Sequence, residues 1–290
     1  MNSIEDFPWN ENCVDVIKAY TYDNYVVEDM NNHTGRVILF CSGNGLYYPD
    51  TESEFNKRIL QDNYYEWWRI GHLKQIKKHF QRVIYIRDIY KQWYVKGINK
   101  ECDSIDKLHE KLAELCNGFR ITIVGVSAGG YIASVLGMLL GAERVINISG
   151  QWILETNSNL GPYIEIYSDD INRNKYYDVP SLMDREKMDG SSIFYFWPCK
   201  SEQDVYQHDR IVGTNANSIP VDCHVHGSLF RKETFPYLFT CNISRLKRIC
   251  GEHGENGYSD NDIFVTVVPL CKVIYYKMKH VLGRLIGKRE

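Results

Sequence analysis

Short apolar runs alternate with amphipathic stretches of helical length along most of this chain. Six of the runs have the length and the β-branched and aromatic content of strands, and each leads into turn residues. They cover residues 36–41, 83–86, 121–124, 145–148, 193–197 and 219–225. Nearly continuous apolar strands are typical of a parallel sheet that is buried on both faces. The pattern therefore predicts an α/β fold in which helices flank a mostly parallel sheet.

The clearest helix signal lies between the second and the third of these runs. Ser104 can cap a helix in which apolar residues recur at spacings of three and four from Ile105 to Leu115. We also expect one or two helices within residues 54–80 and another within residues 229–250.

Two stretches depart from the alternation. Near the start, residues 13–19 and 25–28 have the pattern of a strand pair joined by a polar turn. Residues 151–190 are polar, rich in Asn, Asp and Tyr, and show no sustained periodicity. Forty residues are too many for an ordinary connection. We interpret this segment as a lid or cap inserted between core strands of a single domain, residues 1–290.

Composition narrows the class of protein. Hydrophobic residues make up 44% of the 290 residues, enough to bury a sizeable core, and the net charge of −3 supplies no general attraction to nucleic acid. The nine cysteines are scattered without a Cys-x-x-Cys pair, and the first residues show neither a basic nor an apolar leader segment. We therefore expect free thiols and a cytoplasmic location.

The most specific motif is Gly-Val-Ser-Ala-Gly-Gly at residues 125–130, directly after the strand 121–124 and before an apolar helical stretch. A strand that turns sharply into a helix projects Ser127 from the sheet edge in a strained backbone. The residues two positions before and after it must be small to clear the helix, and Gly125 and Gly129 meet this requirement. The start of the helix also brings backbone N–H groups to a developing oxyanion.

With this elbow the chain resembles the α/β-hydrolase superfamily, over about residues 36–250. The resemblance implies a triad whose nucleophile, acid and histidine follow one another along the chain. Ser127, Asp204 and His226 come in this order, the acid after the fifth expected strand and the histidine after the sixth. In such a triad His226 takes the Ser127 proton, and Asp204 orients the imidazole.

The sequence offers other candidates for the acid and for the base. Glu202, Asp169 and Asp170 are alternative acids, and His224 lies two residues before His226. Residues two apart on an extended strand share a face, so either histidine could be the base. We favour His226 because it stands nearer the strand end and precedes a glycine.

The resemblance also implies a second oxyanion donor after the first expected strand, where many relatives carry His-Gly. This chain departs from that pattern and has Ser-Gly-Asn-Gly at residues 42–45. The backbone N–H of Asn44 would take the donor position beside that of Ala128, and Gly43 and Gly45 would let a substrate approach closely.

Aromatic residues make up 13% of the chain and concentrate in two places. One group follows the first expected strand and the other lies in the insertion: Tyr47, Tyr48, Tyr64, Tyr65, Trp67 and Trp68, and Tyr163, Tyr167, Tyr176 and Tyr177. Core packing is the commoner role of any one such ring, but rings near a site also stack on sugar faces. We interpret Tyr47 and Tyr48 as substrate contacts and expect a small or carbohydrate-bearing ester.

Other chemistries find little support in the sequence. No set of Cys and His residues has zinc spacing, so we expect no metal. The loop 42–45 lacks the third glycine of a dinucleotide fingerprint, and no Gly-Lys-Ser or Gly-Lys-Thr follows a glycine-rich loop, so we expect no nucleotide cofactor. Cys41 and Cys199 border the expected pocket without elbow geometry.

The last residues, 268–290, combine apolar side chains with lysines and arginines and predict a basic amphipathic helix. Two roles are open for it. It packs on the domain with a solvated basic face, or it makes weak contact with a membrane surface or an acidic partner.

These features predict serine-dependent acyl-ester chemistry through an acyl-enzyme. With water as the acceptor the protein is an esterase or deacylase. With a glycan hydroxyl as the acceptor it is an O-acyltransferase, which needs an acyl-thioester donor such as acetyl-CoA. A non-catalytic protein that kept this fold for binding is a further alternative.

Overall fold

The structure, a computed structural model, describes residues 13–154, 175–251 and 257–286. Its strands are β1 Tyr25–Asp29, β2 Arg36–Cys41, β3 Arg82–Ile86, β4 Arg120–Val126, β5 Arg144–Ile148, β6 Ile193–Pro198 and β7 Asn217–Val221. They form one seven-stranded sheet in the order β1-β3-β2-β4-β5-β6-β7. β1 is antiparallel to β3, and the other neighbouring pairs are parallel. The expected α/β fold with a mostly parallel sheet is confirmed.

Both faces of the sheet are buried, because successive side chains of a strand point to opposite faces. In β2, Val37 and Leu39 pack into the apolar cluster on one face, while Ile38 and Phe40 pack into the cluster on the other. Helices supply the outer side of each cluster, so the core has two apolar layers with the sheet between them.

The helices vary from single turns to long segments. They are α1 Val14–Ala19, α2 Glu52–Phe55, α3 Trp68–Gly71, α4 Lys74–His79, α5 Ile105–Cys116, α6 Ala128–Leu139, α7 Val179–Glu186, α8 Glu202–Asp209, α9 Phe235–Thr240, α10 Ile243–Gly251, α11 Asp260–Val267 and α12 Leu270–Ile286, with a 3₁₀ turn Asn44–Tyr47 and a π turn Asn56–Gln61. Within the described ranges, no helix is both long enough and apolar enough to cross a membrane.

The helix expected after Ser104 is confirmed as α5. The Ser104 hydroxyl accepts a hydrogen bond from the Lys107 N–H at 3.3 Å, and Leu108 and Leu112 are buried against the sheet. Residues 54–80 and 229–250 are also helical, but each contains more and shorter helices than we expected.

The strand expected at residues 13–19 is wrong, because these residues form α1. Val16 and Ala19 are buried, a spacing of three that suits a helix and not a strand. Burial of this face outweighs the strand preference of the β-branched residues around it. β1 takes β3 as its partner instead.

The lid prediction falls mostly on residues 155–174, which include Asp169 and Asp170 and lie outside the described residues. The residues that flank this segment pair with each other. A β-bridge joins Ile153 to Asp178, and α7 begins directly after it.

Candidate active site

Ser127 stands in a sharp turn between β4 and α6, with φ 52° and ψ −122°. L residues rarely adopt this region. The turn holds because the Ser127 N–H donates to the Ile148 carbonyl at 2.9 Å. A Cβ on Gly125 would lie 1.9 Å from the Gly129 oxygen, and a Cβ on Gly129 would lie 2.3 Å from the Cys41 oxygen. Both glycines are therefore required where the helix crosses the strands.

His226 lies beside this serine. Its Nε2 is 2.9 Å from the Ser127 Oγ, across 99 positions of the chain. The loop that carries it is tied down by the Gly227 N–H, which donates to the Ser149 hydroxyl at 3.1 Å. The imidazole remains partly exposed, with a side-chain exposure of 29%. The contact sets the serine hydroxyl against a nitrogen that can accept its proton.

The sequence placed His226 at the end of a strand running to residue 225, and that strand is wrong at its end. β7 ends at Val221, whose carbonyl accepts from the Cys199 N–H at 2.9 Å. His226 lies in a turn five positions later, and the exposed His224 does not share a strand face with it.

Asp204 lies on the other side of the His226 imidazole from Ser127. It lies in the first turn of α8, and its Oδ1 and Oδ2 are 2.9 Å and 3.0 Å from the His226 Nδ1. Asp204 is 1% exposed, and the Ser201 hydroxyl donates to its Oδ2 at 2.6 Å. A carboxylate at Nδ1 keeps the proton on that nitrogen, which leaves Nε2 as the acceptor for the serine. The competing Glu202 is exposed to solvent.

The elbow follows a central strand of the parallel sheet, and the acid and the histidine follow β6 and β7 in chain order. This combination is characteristic of one superfamily. The chain has an α/β-hydrolase-type fold. The resemblance identified in the sequence therefore extends to the strand order and the elbow of the folded chain.

No protein-family model matches the sequence, and no curated protein matches it either. Solved structures of similar α/β-hydrolase type do exist. MenH from S. aureus is 11% identical, with 72% of this chain and 92% of that chain covered and a TM-score of 0.41. The capsule O-acetyltransferase of Neisseria meningitidis serogroup A is 14% identical, with coverages of 69% and 82% and a TM-score of 0.46. An arylesterase is 10% identical, with coverages of 71% and 79% and a TM-score of 0.42. Identities this low indicate a shared fold and not a shared substrate.

The two expected oxyanion donors are both first residues of helical segments in this α/β-hydrolase fold. Ala128 begins α6, and Asn44 begins the 3₁₀ turn that follows β2. The first N–H groups of a helix lack an intrahelical acceptor and sit at the positive end of its dipole. The residues that lead into these two segments lie close together, because a Cβ on Gly43 would lie 2.7 Å from the Val126 oxygen. Position 43 therefore has to be glycine, because the Val126 backbone leaves no room for a Cβ. A Cβ on Gly45 would meet only Glu66, at 3.9 Å.

Three side chains whose role the sequence did not reveal hold the backbone of residues 41–43, which we call the oxyanion loop. The Trp67 Nε1–H donates to the Cys41 carbonyl at 3.0 Å, and the Tyr94 hydroxyl donates to the Ser42 carbonyl at 2.7 Å. The Gly43 N–H donates to the Glu66 Oε2 at 2.6 Å. The loop is therefore fixed in position before any substrate arrives, which is what an oxyanion site requires.

Glu66 is the acidic member of this set. Burial raises the pKa of its carboxyl group, and the Gly43 N–H and the charge of Lys91 oppose that rise. One signal could have revealed it, since Glu66 is the single acid within the aromatic run of residues 64–68. An acid in such a run needs a polar partner in the fold.

The two tyrosines interpreted as substrate contacts have different surroundings. Tyr47 is 1% exposed, and its hydroxyl donates to the Ile89 carbonyl at 2.9 Å, so the structure places it in the core. Tyr48 is 68% exposed. Of the two, only Tyr48 presents a ring that a substrate could reach.

Of the six other aromatic residues named for sugar stacking that the structure describes, three are buried in the core, and Tyr64 and Tyr177 are partly buried against it. Tyr65, Trp67 and Tyr176 are 2%, 6% and 0% exposed, while Trp68 is 37% exposed. Tyr163 and Tyr167 lie outside the described residues. Among the described residues, most of these rings thus serve core packing, which is the commoner role of an aromatic side chain.

The cysteines near the site are poor nucleophiles. Burial raises the pKa of the Cys41 thiol well above its usual range, and burial also raises that of Cys199. A protonated thiol reacts slowly. In the part of the chain that the structure describes, no group of three or more His, Cys, Asp or Glu side chains could hold a metal ion.

Proposed function

We propose that this chain is a serine-dependent carboxylic-ester hydrolase that works through an acyl-enzyme at Ser127. The proposal rests on one observation, the continuous hydrogen-bonded row from Asp204 through His226 to Ser127. A serine hydroxyl is a weak nucleophile by itself and needs such a base within hydrogen-bond reach.

The reaction then has two halves. The Ser127 Oγ attacks the ester carbonyl while His226 Nε2 takes the hydroxyl proton, and the N–H groups of Asn44 and Ala128 receive the oxyanion. Collapse of the tetrahedral intermediate breaks the bond to the alkoxide, which leaves as an alcohol with the proton from His226. Water attacks the acyl-enzyme in the same way, loses a proton to His226, and releases the carboxylic acid together with the free serine.

We favour water as the acceptor because the described residues leave Ser127 and His226 accessible to solvent. His226 retains 29% of its side-chain exposure, and Ser127 is itself partly exposed. Acyl transfer from a thioester donor such as acetyl-CoA to a glycan hydroxyl uses the same three side chains but must exclude water. The exposed Tyr48, at the end of the 3₁₀ turn, is the candidate contact for the alcohol or sugar part of the ester.

A fluorophosphonate probe tests the nucleophile. We expect the purified chain to be labelled and the Ser127→Ala variant to remain unlabelled. His226→Ala should lower labelling and ester hydrolysis by at least about 10³-fold, whereas His224→Ala, which alters an exposed histidine two positions away, should retain both. A folded wild-type chain that takes up no probe would favour the binding-protein alternative.

The acceptor is tested separately. Hydrolysis of p-nitrophenyl esters of increasing chain length, measured with and without added sugars, should proceed without any sugar. Activity seen only with an acyl-thioester donor plus a sugar would replace hydrolysis by transfer and leave the role of Ser127 intact.

A further inference from the structure

The C-terminal helix α12 uses only one of its faces to pack on the protein. Val273 is 5% exposed, and Tyr276 packs edge-on against Phe264 of α11 with ring centroids 6.0 Å apart. These two positions are three apart and lie on one side of the helix. The rest of the helix surface is therefore free to be polar, as on an ordinary terminal helix.

Much of that surface is apolar instead. Four large hydrophobic side chains are exposed on α12: Leu270 at 74%, Ile274 at 51%, Tyr275 at 54% and Met278 at 60%. At about 100° per residue they fall within an arc of about 140°, opposite Val273 and Tyr276. We call these four residues the outer apolar face. Scattered exposed hydrophobic residues are normal, but a contiguous set on one helix face marks an interaction site.

Lysines border the outer apolar face on both sides. Lys277 lies beside Leu270 around the helix, Lys272 and Lys279 lie beside Tyr275, and all three lysines are exposed. The segment from Leu270 to Ile286 contains no Asp or Glu, although the whole chain has a net charge of −3. Positive charge is thus concentrated on the helix that also exposes apolar surface.

We propose that α12 binds the surface of membranes that contain anionic lipids, with the outer apolar face in the headgroup region. Apolar side chains then leave water, and the flanking lysines reach the lipid phosphates along their flexible stems. Charge complementarity favours this partner over a second copy of the chain. In a symmetric pair of copies the same surface would face itself and bring lysines of like charge together.

Co-sedimentation of the full chain with lipid vesicles tests the proposal. We expect binding to vesicles that mix phosphatidylserine with phosphatidylcholine and little binding to pure phosphatidylcholine. Raising the salt from about 0.1 M to about 1 M shortens the Debye length from about 10 Å to about 3 Å and should weaken the binding. Each of Lys272→Gln, Lys277→Gln and Lys279→Gln should lower the partition constant by about fivefold.

A charge placed in the outer apolar face is the sharper variant. Ile274→Asp combined with Met278→Asp should abolish sedimentation. Val212→Asp is the matched control, because Val212 is an apolar residue 70% exposed outside the helix, and it should sediment like the wild type. Circular dichroism and the thermal midpoint verify that each variant is folded, and ester hydrolysis in solution should be the same in all of them.

Three results would overturn the proposal. One is a wild-type chain that stays in the supernatant with anionic vesicles, and another is equal binding to both kinds of vesicle. The third is a wild-type dimer in gel filtration that the double aspartate variant dissociates, since the outer apolar face would then be an interface between copies. All three outcomes are independent of whether Ser127 is a nucleophile.

Discussion

Ser127 has a backbone conformation that opposes folding, with φ 52° and ψ −122°. Such a residue costs about 1–3 kcal/mol and persists only where the surroundings hold it. Here the Ile148 carbonyl and the packing of Gly125 against Gly129 do so. The strain brings the hydroxyl within 2.9 Å of the His226 Nε2, which an ordinary helix start would not achieve.

We expect the carboxylate of Asp204 to contribute to catalysis through its charge and its acceptor atoms. Asp204→Asn keeps the shape but presents an amide that favours the wrong imidazole tautomer, so kcat for a p-nitrophenyl ester should fall by about 10⁴-fold with KM little changed. Glu202→Gln is the matched control, because Glu202 lies two positions away and is exposed. Equal losses in both variants would show that Asp204 does not orient the imidazole.

Asp88 is expected to make stability depend on pH. Its carboxyl accepts backbone N–H groups from Tyr90, Gln92 and Tyr94, but burial dominates and raises its pKa from 3.8 to about 6. A raised pKa means that the folded state binds the proton more tightly than the unfolded chain. The stabilisation is therefore complete below about pH 4 and is lost as the pH rises through about 6.

The test compares the wild type with Asp88→Asn between pH 4 and pH 7. The free energy of unfolding of the wild type, relative to the variant, should fall by about 2 kcal/mol over that range, because one pKa unit corresponds to about 1.4 kcal/mol and somewhat less than two units of the shift take effect between pH 4 and pH 7. Denaturant unfolding at each pH measures it. A difference that stays constant with pH would show that Asp88 titrates normally.

At the scale of secondary-structure elements, the oxyanion loop depends on segments far from it in sequence. Glu66 and Trp67 approach it from the turn before α3, and Tyr94 approaches from the turn after β3. Asp88 accepts the Tyr94 N–H at 2.9 Å and so orders that turn. The position of the loop is set by several elements together.

Removing the Glu66 acceptor should therefore impair catalysis. In Glu66→Leu the Gly43 N–H loses its partner and the loop shifts, so kcat for ester hydrolysis should fall by about 10- to 100-fold. Glu66→Gln retains a carbonyl oxygen for the Gly43 N–H and should keep most of kcat. Equal activity in all three proteins would show that Trp67 and Tyr94 suffice to position the loop.

The close contact between α6 and β2 should tolerate no added atom. In Gly129→Ala the new Cβ would lie 2.3 Å from the Cys41 oxygen, so the helix must move and the thermal midpoint should fall, with overpacking of this kind costing about 1–3 kcal/mol. Gly45→Ala is the control for stability, since its Cβ would lie 3.9 Å from its nearest neighbour, Glu66 Oε1. Thermal unfolding followed by circular dichroism compares them, and an unchanged midpoint for Gly129→Ala would contradict the close contact.

On the scale of the whole molecule, stability comes mainly from two large apolar clusters on opposite faces of one sheet, with a smaller third cluster beside them. Disulfide bonds add nothing to it, because none of the nine cysteines, all of which lie within the described residues, forms one. A reductant should therefore leave the thermal midpoint unchanged, and a thiol reagent should titrate nine groups in denaturant. Fewer titratable thiols before reduction, or a midpoint lowered by reductant, would reveal a disulfide.

Much of this organisation was accessible from the sequence, because it depends on spacing along the chain. The apolar runs predicted the strands from β2 to β6, and Ser104 predicted the start of α5. The motif around Ser127 predicted the elbow, because only glycine fits at positions 125 and 129. Each of these signals is local, so neighbours in sequence suffice to express it.

Tertiary structure alone decided the rest, because it depends on which distant residues meet. Periodicity could not tell where β7 ends, and that end is what separates His226 from His224. Nor could it distinguish the buried Tyr47 from the exposed Tyr48, or assign Glu66 to the Gly43 N–H. Burial and hydrogen-bond partners are properties of the packed sheet and its loops, since they are absent until segments far apart in the chain are brought into contact.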